Sequence, residues 1–308
     1  MNKLENKTST AKKRTGANQR ALHLMILPGM LFLFVFCYLP MTGILMAFED
    51  FVPSKGIFGS AFVGLKHFQY MLTLPDIGQV ITNTLVIAVG KIIVGTVAAI
   101  AFSILLNEIR VKAMKKWVQT IVYLPHFLSW VVLASVVVNL FNMDGSINQA
   151  LAGLGLDKIN FLGSNSVFPA LIIGSDVWKE FGYNSVVYLA AITAIDPGLH
   201  EAAAIDGASW WGRVVHVTLP GMLPIILLMA AMNLSGILSA GFDQIYNLYT
   251  PLVYQSGDIL DTYVYRIGLI GRQYSFATAV GLFKSVIGMV LMLIANETAK
   301  RFTDRKIF

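Results

Sequence analysis

Asp176, Glu180 and Asn184 recur at four-residue steps inside a stretch, 168–194, that is otherwise apolar. On a helix that spacing places all three on one face. Three lysines, Lys91, Lys179 and Lys284, sit inside apolar stretches as well. A charge at bilayer depth costs roughly 3 kcal/mol unless it is paired or hydrated, so such residues face inward. Two kinds of chemistry follow. Glu180 can pair with Lys91 or Lys284 and fix how helices pack, or Asp176, Glu180 and Asn184 can line a polar path and hydrogen-bond the hydroxyls of a passing solute. Trp178, Tyr183, Asn233, Ser235 and Ser239 would extend such a path, although small and polar residues also serve helix packing.

The elements that must position these residues are membrane spans. Hydrophobic residues make up 56% of the 308 and charged residues only 13%, against about 25% charged in an ordinary soluble domain. A spanning helix needs about 20 mainly apolar residues. Six stretches qualify: 21–48, 80–106, 117–141, 168–194, 220–241 and 276–296. Pro28, Pro40, Pro125 and Pro224 fall in or near them and can kink their helices. The stretch 21–48 exceeds a signal-peptide core and has no small-residue cleavage site, so it reads as a retained first span. The lone cysteine, Cys37, lies within it and permits no intrachain disulfide. The expected organisation is an all-α membrane protein: a basic tail over 1–20, a six-span unit over 21–296 and a short tail over 297–308.

Net charge is +6, but it flanks the apolar stretches and does not form a nucleic-acid-binding patch. Lys and Arg cluster in 1–20, at Arg110, Lys112, Lys115 and Lys116, at Arg213 and in 300–306. The alternate connections carry only Lys55, Lys66, Lys158, Arg266 and Arg272. That asymmetry predicts both termini and the 195–219 loop on the cytoplasmic side. The outer connection 242–275 holds six of the 11 tyrosines, either an interfacial aromatic belt or a partner-contacting surface.

The 195–219 loop reads as a structured elbow. Asp196 followed by Pro197 is an N-cap with proline at the first helical position. An alanine-rich helix follows, and Gly207 is placed to end it in a left-handed turn. Ser209 can cap a second short helix that runs into Leu219-Pro220. A slim helix of this kind fits a groove on another protein; Trp210, Trp211 and Arg213 would equally suit a helix pair lying on the membrane.

Glu201-Ala202-Ala203, Gly207 and Val217-x-Leu219-Pro220 together make the spacing E-A-A-x3-G-x9-V-x-L-P. This resembles the EAA loop of permease subunits in binding-protein-dependent ABC importers, with Val217 in place of the usual Ile. The resemblance implies a type I importer permease fold. It also implies a coupling role for Glu201, Ala202, Ala203, Asp206 and Gly207 against an ATP-binding subunit. The implied partners are a second, different permease, two ATP-binding subunits and an extracellular solute-binding protein, all in a bacterial cytoplasmic membrane. Leu27-Pro28-Gly29, Gly64-Leu65-Lys66-His67-Phe68 and Asn83-Thr84 resemble the carbohydrate branch, especially its oligosaccharide and polysaccharide (LplB-like) members. Aromatic and polar side chains together suit a sugar, whose ring faces are apolar and whose rim is hydroxylated.

ATP chemistry is absent from the chain itself. No G-x-x-x-x-G-K-[ST] loop occurs; Gly90-Lys91 and Lys284-Ser285 each lack its glycines. The five histidines show no metal-ligand spacing and no G-x-S-x-G elbow is present, so no catalytic or metal-binding residue is expected. His126, beside Pro125, reads as an interfacial residue. ATP and Mg would belong to the partner subunit. Other cargo (peptide, amino acid or ion), an ion-coupled transporter using Asp176, Glu180 and Lys284, and a non-transporting scaffold stay open on the residues alone.

Overall fold

The computed structural model describes residue 19 and residues 21–303; the rest of the basic tail over 1–20 lies outside the described residues. Helix α1 (Ala21–Phe48) is followed by a two-residue antiparallel pairing of β1 (Glu49–Asp50) with β2 (Ala61–Phe62), register Glu49 to Phe62. Then come α2 (Lys66–Thr73), α3 (Pro75–Glu108), α4 (Lys112–Tyr123), α5 (Trp130–Phe141), α6 (Ser146–Gly153) and α7 (Phe168–Thr193). After α7 lie α8 (Pro197–Ile205), α9 (Trp210–Arg213) and α10 (Leu219–Ser235), the last two joined by a widened helical turn, Val214–Thr218. The described residues finish with α11 (Phe242–Leu248), α12 (Tyr254–Gly257), α13 (Leu260–Val264) and α14 (Tyr274–Thr303).

Among the described residues, five stretches are long and apolar enough to cross a membrane: Ala21–Phe48, Pro75–Glu108, Trp130–Gly153, Trp210–Leu234 and Tyr274–Ile294. Helix α7 has the length, 26 residues, but Asp176, Lys179 and Glu180 interrupt its apolar character.

Two expected spans are corrected. The stretch 117–141 is not one helix. It breaks at a tight turn, Leu124–Phe127, and restarts at Trp130 with the Ser129 hydroxyl accepting the Val132 N–H at 3.4 Å. Pro125 has no N–H to donate, so the helical ladder cannot run through it, and the chain leaves helical geometry at Leu128. The stretch 220–241 ends early, at Ser235. Gly236 caps it and Gly241 adopts φ +97°, a backbone region glycine enters without steric cost. Conversely, α14 runs on to Thr303, into the segment expected as a tail.

Helix α3 packs along α7, α10 along α14, and the second half of α1 against α14. Side chains from Leu22 to Met41 are exposed, as befits a helix surrounded by an apolar medium. Among the described residues the packing forms two apolar clusters. One gathers Ile87, Phe168, Ile172, Ile245, Leu260 and Val280. The other gathers Ala99, Ile104, Tyr188, Ile192, Val214 and Met222 near the α8–α9 end. Helices α3 and α7 belong to both. Their middle sections, around Lys91 and around Asp176–Asn184, lie between the clusters.

Close approach is possible where side chains are small. A Cβ on Gly182 would stand 2.5 Å from the Val122 carbonyl oxygen, so α4 and α7 meet at a point only glycine allows. Asn83 and Thr84 on α3 tie down the connection to α13: Asn83 donates to the Gln255 and Asp258 carbonyls at 3.0 and 3.1 Å, and Thr84 accepts the Leu260 N–H at 2.9 Å.

Candidate functional site

Between the two apolar clusters lies a cavity of about 150 Å³. Asp176, Glu180 and Asn184 enter it from α7, Lys91 and Thr96 from α3, and Asn233 from α10. The four-residue spacing is what brings the three α7 side chains to this one opening. Lys91 Nζ stands 3.0 Å from Asp176 Oδ1, and the two side chains are only 10% and 22% exposed. The ammonium also donates to the Ala240 carbonyl at 2.7 Å and to the Gln244 side chain. Gln244 is held in turn, donating to the Ile172 carbonyl at 2.7 Å and the Ser175 hydroxyl at 2.8 Å. All three Lys91 protons are therefore used, which is how a charge this deep is tolerated.

Glu180 does not meet Lys91 or Lys284. Its carboxylate bonds His126 Nδ1 at 2.7 Å and Lys179 Nζ at 2.8 Å. Lys179 also donates to the His126 carbonyl at 2.7 Å, filling an acceptor near the helix break at Pro125. The His126 ring stacks on Tyr183 with centroids 3.8 Å apart and planes 1° from parallel. Lys284 instead pairs with Asp261 of α13. The expectation failed because pairing across helices depends on their register, which spacing along one helix does not reveal. His126, read from sequence as interfacial, is a member of this cluster; its neighbour Pro125, which breaks the span, was the one local signal.

Not every candidate for the path reaches the cavity. Trp178 lines a separate apolar groove of about 440 Å³ between α5 and α7, with Val136, Leu140 and Phe141. Tyr183 stacks beside the cavity on His126. Ser239 lies exposed beyond the end of α10. Lys91 is the cavity's cation, and Gln244, which had no sequence signal at all, supports it.

At the opposite end of α7, Asp196 accepts the Gly198 N–H at 2.9 Å and Pro197 opens α8. Gly207 has φ +80°, and the Ala208 and Gly207 N–H groups bond the Ala203 and Ala204 carbonyls at 2.9 and 3.1 Å. These bonds satisfy carbonyls at the helix end that would otherwise lack partners. The Ser209 hydroxyl accepts the Gly212 N–H at 3.2 Å and Arg213 donates to the Ala208 carbonyl at 3.2 Å. The result is a fixed turn from which α8 projects. Glu201, Ala202, Asp206 and Gly207 are exposed, Ala203 is half-buried, and Ile205 is 87% exposed.

Residues 99–304, from the last third of α3 through the elbow and α14, match the family described as the binding-protein-dependent transport system inner membrane component. The chain belongs to that family. It is a multi-pass ABC transporter permease, a transport component and not an enzyme. It is 41% identical to the polygalacturonan/rhamnogalacturonan transport system permease protein YteP of Bacillus subtilis, over 94% of this chain and 91% of that one. Protein LplB of the same organism is 37% identical over 93% and 91%. Among solved structures, a chain of a bacterial alginate ABC transporter, in complex with an alginate pentasaccharide-bound periplasmic protein, superposes with TM-score 0.86. It is 36% identical over 96% of this chain and 99% of that chain. The permease's architecture is thus the type I importer fold.

Proposed function

We propose that this permease forms half of the translocation pathway of an ATP-driven importer for oligosaccharides or polysaccharide fragments. The supporting observation is the 41% identity, across nine-tenths of both chains, to a permease for polygalacturonan and rhamnogalacturonan. The LplB and alginate-transporter likenesses point the same way. In this reading α7 is the sixth span, its three charges tolerated because they pair inside the bundle. Both termini and the elbow face the cytoplasm, in keeping with the Lys and Arg distribution.

The working assembly contains a second, different permease, two ATP-binding subunits and an extracellular solute-binding protein, in the cytoplasmic membrane of a bacterium. ATP and Mg act in the ATP-binding subunits. Helix α8 docks there: Glu201 offers a charge, Ala202 and Ala203 allow close packing, and Asp206 and Gly207 set the turn. The polar cavity with Asp176, Glu180, Asn184 and Asn233 lies along the path and hydrogen-bonds sugar hydroxyls.

Affinity purification of the chain in mild detergent tests this. A P-loop ATPase and a saccharide-loaded binding protein should co-purify. Uptake that survives ATP depletion but collapses with an ion gradient would reject the proposal in favour of a secondary transporter.

A further inference from the structure

A second concave site, of about 500 Å³, shares no lining residue with the polar cavity. Its walls are the β1–β2 hairpin, α2 and the turn leading into α14, all connections or helix ends. That size is within the range of small-molecule sites. Asp50 in its wall is held by Lys66 at 2.7 Å and His67 at 3.1 Å. The hydrogen bond from Lys66 keeps the Asp50 carboxyl below its ordinary range. The Phe51 N–H bonds the Ser275 hydroxyl at 2.9 Å, fixing the hairpin to α14. Two T-shaped ring pairs, Phe51 with Tyr274 and Tyr70 with Phe276, sit in the same wall at 6.1 and 5.5 Å.

Arg272 completes the pocket and is unusual twice over. It is the one non-glycine among the described residues with positive φ, +56°, a conformation strained for an L side chain. Hydrogen bonds from Gly271 to the Arg266 carbonyl and from Gln273 to the Ile267 carbonyl enforce that turn. Among the described residues Arg272 makes no ion pair. Strain retained to present an unpaired guanidinium beside aromatic rings points to a ligand. Of the pocket's two cations, Lys66 is already paired with its one carboxylate, Asp50, which leaves the charge of Arg272 unmatched. A guanidinium fork matches a carboxylate in bidentate fashion, and ring faces suit a sugar.

We propose that this pocket is an entry subsite for the carboxylate-bearing unit of an acidic oligosaccharide, its carboxylate on Arg272 and its ring against the Tyr70 and Tyr274 walls. The proposal rests on the reading of the chain as a saccharide importer with this face outward. Such a site would hold an acidic chain as it leaves the binding protein and would disfavour esterified or neutral chains.

The test uses the assembled transporter in phosphatidylcholine nanodiscs, without binding protein, titrated with trigalacturonate and with its methyl ester by saturation-transfer NMR. The acid should bind about tenfold more tightly than the ester, the effect of one charge-assisted contact. Arg272→Gly should abolish that preference, leave ester binding unchanged and not lower thermal stability, because it relaxes the left-handed turn. Equal binding of acid and ester, or a preference that survives Arg272→Gly, would overturn the subsite. So would Arg272-dependent retention of phosphatidylglycerol without acid preference, which would assign the pocket to a lipid headgroup. In a parallel assay with the binding protein added, an Arg272→Gly variant that lost docking while the acid preference was absent throughout would assign the pocket to that protein. ATPase stimulation by a neutral oligosaccharide on its binding protein would keep the importer reading while the subsite failed; stimulation by no saccharide would remove that reading first.

Discussion

Lys91 of α3 and Asp176 of α7 meet at 3.0 Å between the permease's two apolar clusters. The pair ties the two most extensively packed helices together at the level of the polar cavity. Removing one member of a buried pair strands the other charge, which costs about 3–5 kcal/mol, whereas replacing both is often close to neutral. Lys91→Met should therefore lower the melting temperature in detergent strongly. The double variant Lys91→Met/Asp176→Leu should recover most of it. If the double variant is as unstable as the single one, the pair is not what holds α3 to α7.

Gly182 predicts a steric effect of known direction. An alanine there meets the Val122 carbonyl, which belongs to the backbone of α4 and cannot step aside. Gly182→Ala should destabilise by about 1–3 kcal/mol, as overpacking does. Gly90→Ala, on α3, meets side-chain atoms of Ile173 alone, Cδ1 nearest and then Cγ1 at 3.1 Å, which can shift more readily than backbone, and should cost less. The difference between the two in a thermal-shift series checks the contact.

Tyr183 and His126 form a stacked pair whose second attachment is the His126–Glu180 bond at 2.7 Å. Glu180→Gln keeps the shape and removes the charge that faces both His126 and Lys179. Charge-assisted hydrogen bonds contribute about 1.5–3 kcal/mol, so stability should fall by roughly that amount. Tyr183→Phe, which keeps the ring, should be near neutral. A stability loss in Tyr183→Phe matching that of Glu180→Gln would show that the hydroxyl, not the stacking, matters.

Much of the elbow was legible because its signals are local. Asp196-Pro197, Gly207 and Ser209 each act on backbone within a few residues, and each occupies the cap its chemistry favours. Span positions were legible where apolarity ran long, as in α1 and in α3, whose expected span 80–106 holds the single charge Lys91. The third span was only half legible: Pro125 was read as a possible kink within the apolar run from 117 to 141, whereas it ends one helix before another starts at Trp130. The end of α10 at Gly236 was hidden within an apolar run in the same way. Charge partners were least legible: which of Lys91, Lys179, His126 and Lys284 faces Asp176 or Glu180 depends on helix register and on a bend that sequence spacing does not encode.

The Arg266–Asp258 pair gives a further check on the connection between α10 and α14. Arg266 bonds Asp258 and sits over the Tyr254 ring at 4.6 Å and the Tyr263 ring at 5.4 Å, so one side chain holds α12 and α13 together. Arg266→Met should cost about 3 kcal/mol or more through the stranded Asp258. Arg266→Lys, which lacks the planar fork, should recover only part. Hydrogen exchange at residues 254–266 reads the effect directly; unchanged protection in Arg266→Met would contradict it.

The elbow model makes the sharpest demand. At φ +80°, Gly207→Ala carries a left-handed penalty of about 1–2 kcal/mol, and Gly207→Pro cannot adopt the turn at all. Glu201 is exposed and touches no core, so Glu201→Lys should leave folding and membrane insertion intact. The most direct measurement is sugar uptake per ATP hydrolysed by the Glu201→Lys transporter in proteoliposomes with its binding protein. Hydrolysis that continues while uptake per ATP falls by about tenfold or more, equivalent to about 1.4 kcal/mol of lost coupling, is the predicted result. A normal uptake-to-hydrolysis ratio would contradict the account.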